Sequence, residues 1–241
     1  MSKQFAAILA AIVLVFVGAL IINNNGNSSS KDTSKIAASS HTRSSTSTGV
    51  TLVEYADFQC PYCEQYFPTL EAVYQEYKDQ ITFQFRNFPL PNAHKNAFAA
   101  ARAAEAASLK GKFWEMHDAL YNPANWQVWT QANDPTVYFN QYATAIGLNA
   151  ATFKTDYASS RVNDQVNADM AAGTKLGVQG TPSFFLDGKQ VTIANDKAAF
   201  DKVIKAEIAK KSPQQAKPAA ETTTVPPTAD TTAPDATTTS N

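Results

Sequence analysis

The pattern of apolar and polar residues divides the chain into parts of different character. Residues 5–22 are apolar or small and carry no charge, and residues 23–49 are rich in serine, threonine and asparagine without a hydrophobic period. Between residues 50 and 211 the apolar positions recur with the periods of strands and helices, whereas residues 212–241 are rich in proline and threonine. The pattern therefore predicts one folded domain over residues 50–211, flanked by segments that bury little surface.

The apolar run over residues 5–22 is about as long as a bilayer-crossing helix, which takes roughly 20 residues. Lys3 precedes the run, and no clear small-x-small cleavage site follows it. We predict that residues 1–22 form an uncleaved, single-pass membrane anchor, with a cleaved signal peptide as the alternative. The positive residue ahead of the run predicts that the N-terminus stays in the cytoplasm and the rest of the chain lies outside.

The two polar segments have compositions that disfavour a packed core. Residues 23–49 are predicted to be a flexible linker between the anchor and the domain. Residues 212–241 are predicted to be a disordered tail rich in proline and threonine.

The first part of the domain alternates strand and helix patterns. Residues 50–58 are rich in β-branched and aromatic side chains, and residues 81–88 alternate apolar with polar ones, so both are predicted strands. Residues 64–78, between them, have apolar side chains at three- and four-residue spacings, which predicts an amphipathic helix. Pro89 ends the second strand.

The rest of the domain is predicted to be helical until residue 176. The helical patterns cover residues 92–109, 112–121, 136–146, 151–157 and 160–176. A short strand is then predicted over residues 183–186, and the turn signal Asp187-Gly188 returns the chain along residues 190–193. A last helix is predicted over residues 197–210.

The overall charge gives little information about partners. The formal net charge is −1, so electrostatics provide no reason to expect binding to nucleic acid. The function must therefore depend on local sites.

The only two cysteines, Cys60 and Cys63, stand at the predicted junction between the first strand and its helix. On the first turn of a helix, unpaired N–H groups and the helix dipole lower a thiol pKa from about 8.5 to roughly 3.5–7.5. We therefore predict that Cys60 is the sulfur that attacks and is attacked, while the more shielded Cys63 resolves the mixed disulfide. Pro61 suits the first helical position because its missing N–H would have no partner there.

Two other interpretations of the cysteines are open. They could form a structural disulfide, but closing so short a loop removes little entropy from the unfolded chain. They could be half of a metal site, but no second Cys-x-x-Cys exists, and His41, His94 and His117 show no clustered spacing. Disulfide exchange is the favoured interpretation, with no metal or organic cofactor, and His94 and His117 are expected to be surface or helix-packing residues.

The order of these motifs resembles the DsbA-like branch of the thioredoxin superfamily. The resemblance covers residues 50–210 and depends on the segments EYADFQ, CPYC, FPL, GKFWEMH and GTP. It implies an α/β, thioredoxin-like fold, in which helices flank a central mixed β-sheet, with an all-helical subdomain inserted at about residues 92–176. Glutaredoxins share Pro61-Tyr62 between their cysteines but lack this insertion.

The resemblance also implies how the active site is composed. It implies a cis peptide bond between Thr181 and Pro182, close to Cys60-Pro61-Tyr62-Cys63 in space, with Thr181 pairing with an extended substrate segment. It implies that Glu54 is a buried acid that exchanges a proton with Cys63; the alternative is a Glu54 that faces solvent or a salt bridge.

Two further expectations concern residues outside the reacting groups. Asp57 is expected to hold the end of the strand or to cap the helix. The tryptophans are expected to lie mainly in the core: Trp114, Trp126 and Trp129.

The function implied is that of a thiol:disulfide oxidoreductase that introduces disulfides into reduced exported proteins. Its expected location is the bacterial cell membrane, with the catalytic domain at the cell surface or in the periplasm. The resemblance implies reoxidation by a quinone-linked membrane partner, and we expect a monomer because no dimerisation module is present. A reductase or isomerase of the same fold, or a non-enzymatic chaperone or scaffold domain, are the alternatives.

Overall fold

The computed structural model describes residues 36–44 and 48–211 of the 241-residue chain. The predicted anchor (residues 1–22), part of the predicted linker and the predicted tail (residues 212–241) lie outside the described residues. No helix within the described ranges is long and apolar enough to span a bilayer.

The centre of the domain is a five-stranded mixed β-sheet with the order β1-β3-β2-β4-β5. The strands are β1 His41–Thr42, β2 Thr51–Ala56, β3 Thr82–Asn87, β4 Ser183–Leu186 and β5 Lys189–Val191. Strands β2 and β3 are parallel, and the three other neighbouring pairs are antiparallel.

Eight helices accompany the sheet in the described part of the chain. They are α1 Pro61–Tyr77, α2 Ala97–Ser108, α3 Phe113–Tyr121, α4 Pro123–Trp129, α5 Thr136–Ala145, α6 Ala150–Ala158, α7 Ser160–Lys175 and α8 Lys197–Lys211. Helix α1 connects β2 to β3, helices α2 to α7 lie between β3 and β4, and α8 follows β5. This arrangement confirms the predicted α/β, thioredoxin-like fold with helices inserted between its two halves.

The alternation predicted for the second strand appears in β3, where Phe83 and Phe85 are both buried. Phe83 packs in a cluster with Tyr77 of α1 and Phe200 of α8. Phe85 belongs to the larger cluster that contains the inserted helices and both cysteines. The parallel β2–β3 pair thus connects these two apolar clusters.

Part of the predicted flexible linker is in fact attached to the domain. His41 pairs with Phe85 in the β1–β3 ladder, and both the backbone N–H and the hydroxyl of Ser39 donate to the Asp169 carboxylate, at 2.5 and 2.7 Å. Asp169 is fully buried on α7 and also accepts from the Asn87 N–H at 3.1 Å. A buried carboxylate must be fully hydrogen-bonded, and Ser39 supplies two of the donors. This requirement orders a segment whose composition alone predicts flexibility.

Candidate active site

Cys60 occupies the N-cap position of α1. Its backbone is extended, with φ −71° and ψ 123°, and Pro61 follows as the first helical residue. The Cys60 N–H donates to the Asp57 carbonyl at 3.0 Å, and its own carbonyl accepts from the Glu64 N–H at 3.1 Å. The strand-to-helix junction therefore places the Cys60 sulfur at the positive end of the helix, as the sequence predicts.

The environment of Cys60 stabilises its thiolate. The pKa of Cys60 is lowered to about 6, chiefly by a hydrogen bond from the Cys63 side chain. Burial opposes this shift, whereas the Thr181 side chain and the backbone N–H groups of Cys63 and Tyr62 add to it. Cys60 is therefore largely ionised at neutral pH.

Cys63 has the opposite character. It is 1% exposed, and burial, followed by the adjacent Cys60, raises the pKa of its thiol above the ordinary value. Both cysteines are free thiols in the structure. The opposite pKa shifts support the predicted division of labour between an attacking Cys60 and a resolving Cys63.

The peptide bond between Thr181 and Pro182 is cis, which confirms the configuration that the resemblance implies. The Thr181 carbonyl oxygen lies 3.4 Å from the Cys60 sulfur, although the two residues are 121 positions apart in the sequence. The fold thus brings the cis-proline segment, which immediately precedes β4, next to Cys60.

An open groove of about 590 Å³ runs along the cis-proline segment. Gln179, Thr181, Pro182 and Gln190 contribute to its lining, and Tyr62, between the two cysteines, is 65% exposed. An extended peptide placed in this groove would lie beside Cys60, because Thr181 borders both.

Glu54 on β2 borders a small cavity of about 40 Å³, and Cys63 borders the same cavity. Its carboxyl forms no hydrogen bond or ion pair with the described residues, so the salt bridge considered from the sequence is not present there. Desolvation by burial, followed by the charge of Cys60, raises the pKa of Glu54 to about 8. A carboxyl with this pKa can exchange a proton with a thiol near neutral pH, which supports the role predicted for Glu54.

Asp57 holds the end of the strand, as predicted. Its buried carboxylate accepts from the Gln59 N–H at 2.7 Å, from the Leu90 N–H at 2.9 Å and lies 2.7 Å from the His94 ring. His94 is therefore a partner of Asp57 and not only a surface residue. This network fixes the loop that leads into the cysteines.

The tryptophans lie on the core side of the site. Trp129 is fully buried and donates to the Leu120 carbonyl at 2.9 Å, and Trp126 donates to the Phe58 carbonyl at 2.8 Å. Trp114 is partly buried against the His117 ring. The Trp126 indole N–H thus supports the backbone just before the cysteines, at Phe58.

His117 lies beside the site, although the sequence predicts only a surface or helix-packing residue there. The residue is 5% exposed and borders the same cavity as Glu54 and Cys63. A signal was present, because His117 is four residues from both Phe113 and Tyr121, which are buried on the same face of α3.

Within residues 36–44 and 48–211, no group of three or more histidine, cysteine, aspartate and glutamate side chains is placed to hold an ion.

Comparison with known proteins places the chain in a family. Residues 38–206 match the family model described as thioredoxin, so the chain belongs to the thioredoxin family. Among curated proteins it is 35% identical over 152 residues to the Na⁺/H⁺ antiporter NhaA 1 of Mycolicibacterium gilvum, and 36% identical over 150 residues to NhaA 3 of Salinispora tropica. These matches cover 62% of this chain but only 24% and 22% of the relatives, so the chain spans about a quarter of their length.

Solved structures show the same fold. A thioredoxin-like oxidoreductase from Silicibacter pomeroyi aligns with a TM-score of 0.56 and 25% identity, covering 68% of this chain and 89% of that one. BdbD from Bacillus subtilis aligns with 0.57 and 21%, covering 72% and 99%, and alpha-DsbA1 from Wolbachia pipientis with 0.58 and 21%, covering 71% and 92%. The fold is that of DsbA-like members of the thioredoxin superfamily, as the motifs predict.

Proposed function

We propose that this protein is an extracytoplasmic thiol:disulfide oxidoreductase that works as an oxidase on reduced exported proteins. The observation that carries the proposal is the position of the Cys60 sulfur at the N-terminus of α1, 3.4 Å from the carbonyl oxygen of Thr181 before the cis proline. Membership of the thioredoxin family supports thiol–disulfide exchange as the chemistry. The two sulfurs suffice for this chemistry, without a metal or an organic cofactor.

The exchange begins with the Cys60–Cys63 disulfide. A substrate thiolate attacks the Cys60 sulfur, the Cys60–Cys63 bond breaks, and Cys63 leaves with the electron pair. Cys63 takes a proton from Glu54, because the raised pKa of Cys63 makes its thiolate a strong base. A second substrate thiolate then attacks the substrate sulfur of the mixed disulfide and releases Cys60 as a stabilised thiolate. Two electrons have passed from the substrate dithiol to the protein.

The stabilised thiolate of Cys60 is the reason for proposing oxidation over reduction. A low pKa of the released thiol favours the reduced form of the protein, and a stabilised reduced form makes the disulfide a stronger oxidant. Reductase or isomerase activity is the alternative within the same fold.

Substrate binding is proposed at the groove beside the cis proline. An extended substrate segment pairs with the Thr181 backbone in the manner of an added strand, while the exposed Tyr62 contacts the chain on the other side of the cysteines. Because backbone groups make the main contacts, the site would accept many different exported proteins.

The proposed membrane anchor and its orientation are based on the sequence alone. The apolar run at residues 5–22 would anchor a monomer in the bacterial cell membrane with the catalytic domain outside, next to a quinone-linked partner that reoxidises the cysteines. Fractionation of cells followed by protease treatment of intact cells tests the anchor and its orientation.

The activity is tested by the oxidative refolding of a reduced, unfolded protein that needs disulfides, with glutathione disulfide as the final oxidant. The wild-type protein should accelerate refolding over glutathione disulfide alone, and either Cys60→Ser or Cys63→Ser should remove the acceleration. Refolding yields that do not depend on the cysteines would contradict the proposal and favour the scaffold alternative. Rapid reduction of insulin without oxidation of the test protein would favour a reductase.

A further inference from the structure

We propose that His117 is a proton-relay residue that connects Glu54 to solvent and carries the proton that Cys63 gains or loses in each half of the reaction. The inference rests on the proposed function, because a relay is needed only where Cys63 acts as the resolving thiol.

The relay uses the small cavity behind the cysteines. Cys63, Glu54 and His117 all border this space of about 40 Å³, and so do Arg43 and Glu71. The side chains of Arg43 and Glu71 are 16% and 29% exposed, so the lining extends from the buried thiol to the protein surface. A single water molecule needs roughly 10–15 Å³, so the cavity has room for more than one.

Two polar groups in the cavity have no partner among the described residues: the Glu54 carboxyl and Nε2 of His117. Polar groups inside proteins are almost always hydrogen-bonded to protein or to ordered water. Water in the cavity is the available partner for both groups. Such water connects the Glu54 carboxyl to the histidine ring.

The other nitrogen of the ring faces a different environment. Nδ1 of His117 lies 2.8 Å from Oδ1 of Asp118, whose side chain is 39% exposed. An ionised carboxylate can only accept, so it selects the tautomer with the proton on Nδ1 and leaves Nε2 as an acceptor. The ring therefore joins the cavity to a partly exposed carboxylate, whose other oxygen accepts from Arg43 at 3.0 Å.

The surroundings of the ring keep it in the neutral form that a relay requires. Burial is the largest cause of the lowered pKa of His117, and the Asp118 carboxylate opposes it. Aromatic rings of Phe58, Phe85 and Trp114 pack around the imidazole. The titratable and charged groups that face it are Asp118 and Tyr121 from α3, Glu71 and Cys63 from α1, Glu54 from β2 and Arg43 after β1.

The proton balance follows from the exchange reaction. When the cysteines are reoxidised, the Cys63 thiol gives its proton to Glu54, and Cys63 attacks the mixed disulfide at Cys60. The proton passes from Glu54 through cavity water to Nε2 of His117, while Nδ1 releases its own proton to Asp118 and from there to solvent. Reduction of the disulfide runs the same transfers in the opposite direction.

The test follows the step in which Cys63 acts. Reduced protein is mixed with glutathione disulfide, samples are quenched with acid, and mass spectrometry measures the formation and decay of the Cys60–glutathione mixed disulfide. In His117→Gln the decay should slow about tenfold, less than the 10²–10⁴ of direct acid–base catalysis because water alone can still carry some protons. Formation of the mixed disulfide should keep its rate, and added imidazole should restore much of the decay rate.

Glu115→Gln is the matched control, since Glu115 lies on α3, is 44% exposed and is paired with Lys112 outside the cavity. Its decay rate should equal that of the wild type. A folded His117→Gln protein with wild-type decay, or a slow decay that imidazole does not restore, would overturn the relay.

Asp118→Asn provides a second variant at a partly exposed position, in case His117→Gln does not fold. It should also slow the decay, because an amide cannot take up the proton from Nδ1; wild-type decay in Asp118→Asn overturns the relay. The two proposals fail differently: a wild-type mixed disulfide that never resolves contradicts the proposed function, whereas a normal wild type with unaffected variants contradicts only the relay.

Discussion

The sulfur of Cys60 lies 3.4 Å from the carbonyl oxygen of Thr181, the residue that precedes the cis proline. This contact joins the N-terminus of α1 to the segment before β4. The inserted helices separate these two segments in the sequence. The reactive thiol and the backbone proposed to bind substrate are therefore parts of one site.

The ionisation of Cys60 should depend on its neighbour Cys63. Thiolate absorbance near 240 nm should titrate with a midpoint at a pH of about 6 in the reduced protein and should disappear in Cys60→Ser. Cys63→Ala should raise the midpoint, because the hydrogen bond from Cys63 is the largest cause of the lowered pKa. Cys63→Ser, which keeps a donor, should raise it less, and an unchanged midpoint in Cys63→Ala would contradict this explanation.

The lowered pKa of Cys60 also makes the stability of the reduced protein depend on pH. The folded pKa of Cys60 is about 6, below the ordinary thiol value of about 8.5, so its contribution to the stability of the reduced protein is fully present above about pH 8.5. The contribution is lost as the pH falls towards 6. Urea unfolding of reduced wild type should show this loss, and reduced Cys60→Ser should not.

Glu54 should have the opposite effect on stability. Its folded pKa of about 8 is above the ordinary value of 4.5, so the native state binds more protons between these values and its stability falls as pH rises through that window. Relative to the wild type, Glu54→Gln should become more stable by roughly 3 kcal/mol between about pH 5 and pH 7, at about 1.4 kcal/mol per pH unit. Urea unfolding of both proteins at each pH measures the difference, and parallel pH profiles would show that Glu54 ionises normally.

Ser39 should anchor the segment that carries β1. Ser39→Ala removes one of the donors to the buried Asp169 carboxylate, which should cost about 1.5–3 kcal/mol of unfolding free energy. Hydrogen exchange at His41–Thr42 should become faster, because the β1–β3 pairing depends on this attachment. Ser40→Ala is the control, since Ser40 is exposed; equal effects of the two substitutions would contradict the anchoring role.

The sequence predicted those parts of the fold in which one periodicity dominates. Strand β3 alternates as expected, and the predicted bounds of α3 and α7 differ from the observed ones by one residue. Helix α4 is absent from the predicted elements, because a proline just after a helical pattern, such as Pro123 after residues 112–121, also marks the end of a helix. In the structure Pro123 is the first residue of α4, and the Asn122 side chain accepts from the N–H groups of the first turn. A proline is compatible with the end of one helix and with the first turn of the next. Here only the capping by Asn122 shows that a helix begins.

The site was predictable where the chemistry depends on adjacent residues and less so where it depends on tertiary contacts. Cys60 and Cys63 are three residues apart, so their position on the first turn follows from local pattern. The attachment of Ser39 to Asp169 joins residues 130 positions apart, and no local pattern encodes it. The spacing of His117 from Phe113 and Tyr121 indicates a buried position on α3, but only the packing of α3 against β3 and α1 places it beside Glu54.

The standard reduction potential of the Cys60–Cys63 couple tests the central claim most directly. It is measured by equilibrating the protein with glutathione buffers of known ratio and quantifying the two redox forms. The proposed oxidase requires a potential clearly less negative than the roughly −270 mV of thioredoxin, towards the roughly −120 mV of a strong oxidant of the DsbA type. A potential at or below thioredoxin's would contradict the oxidase and assign the same site to disulfide reduction.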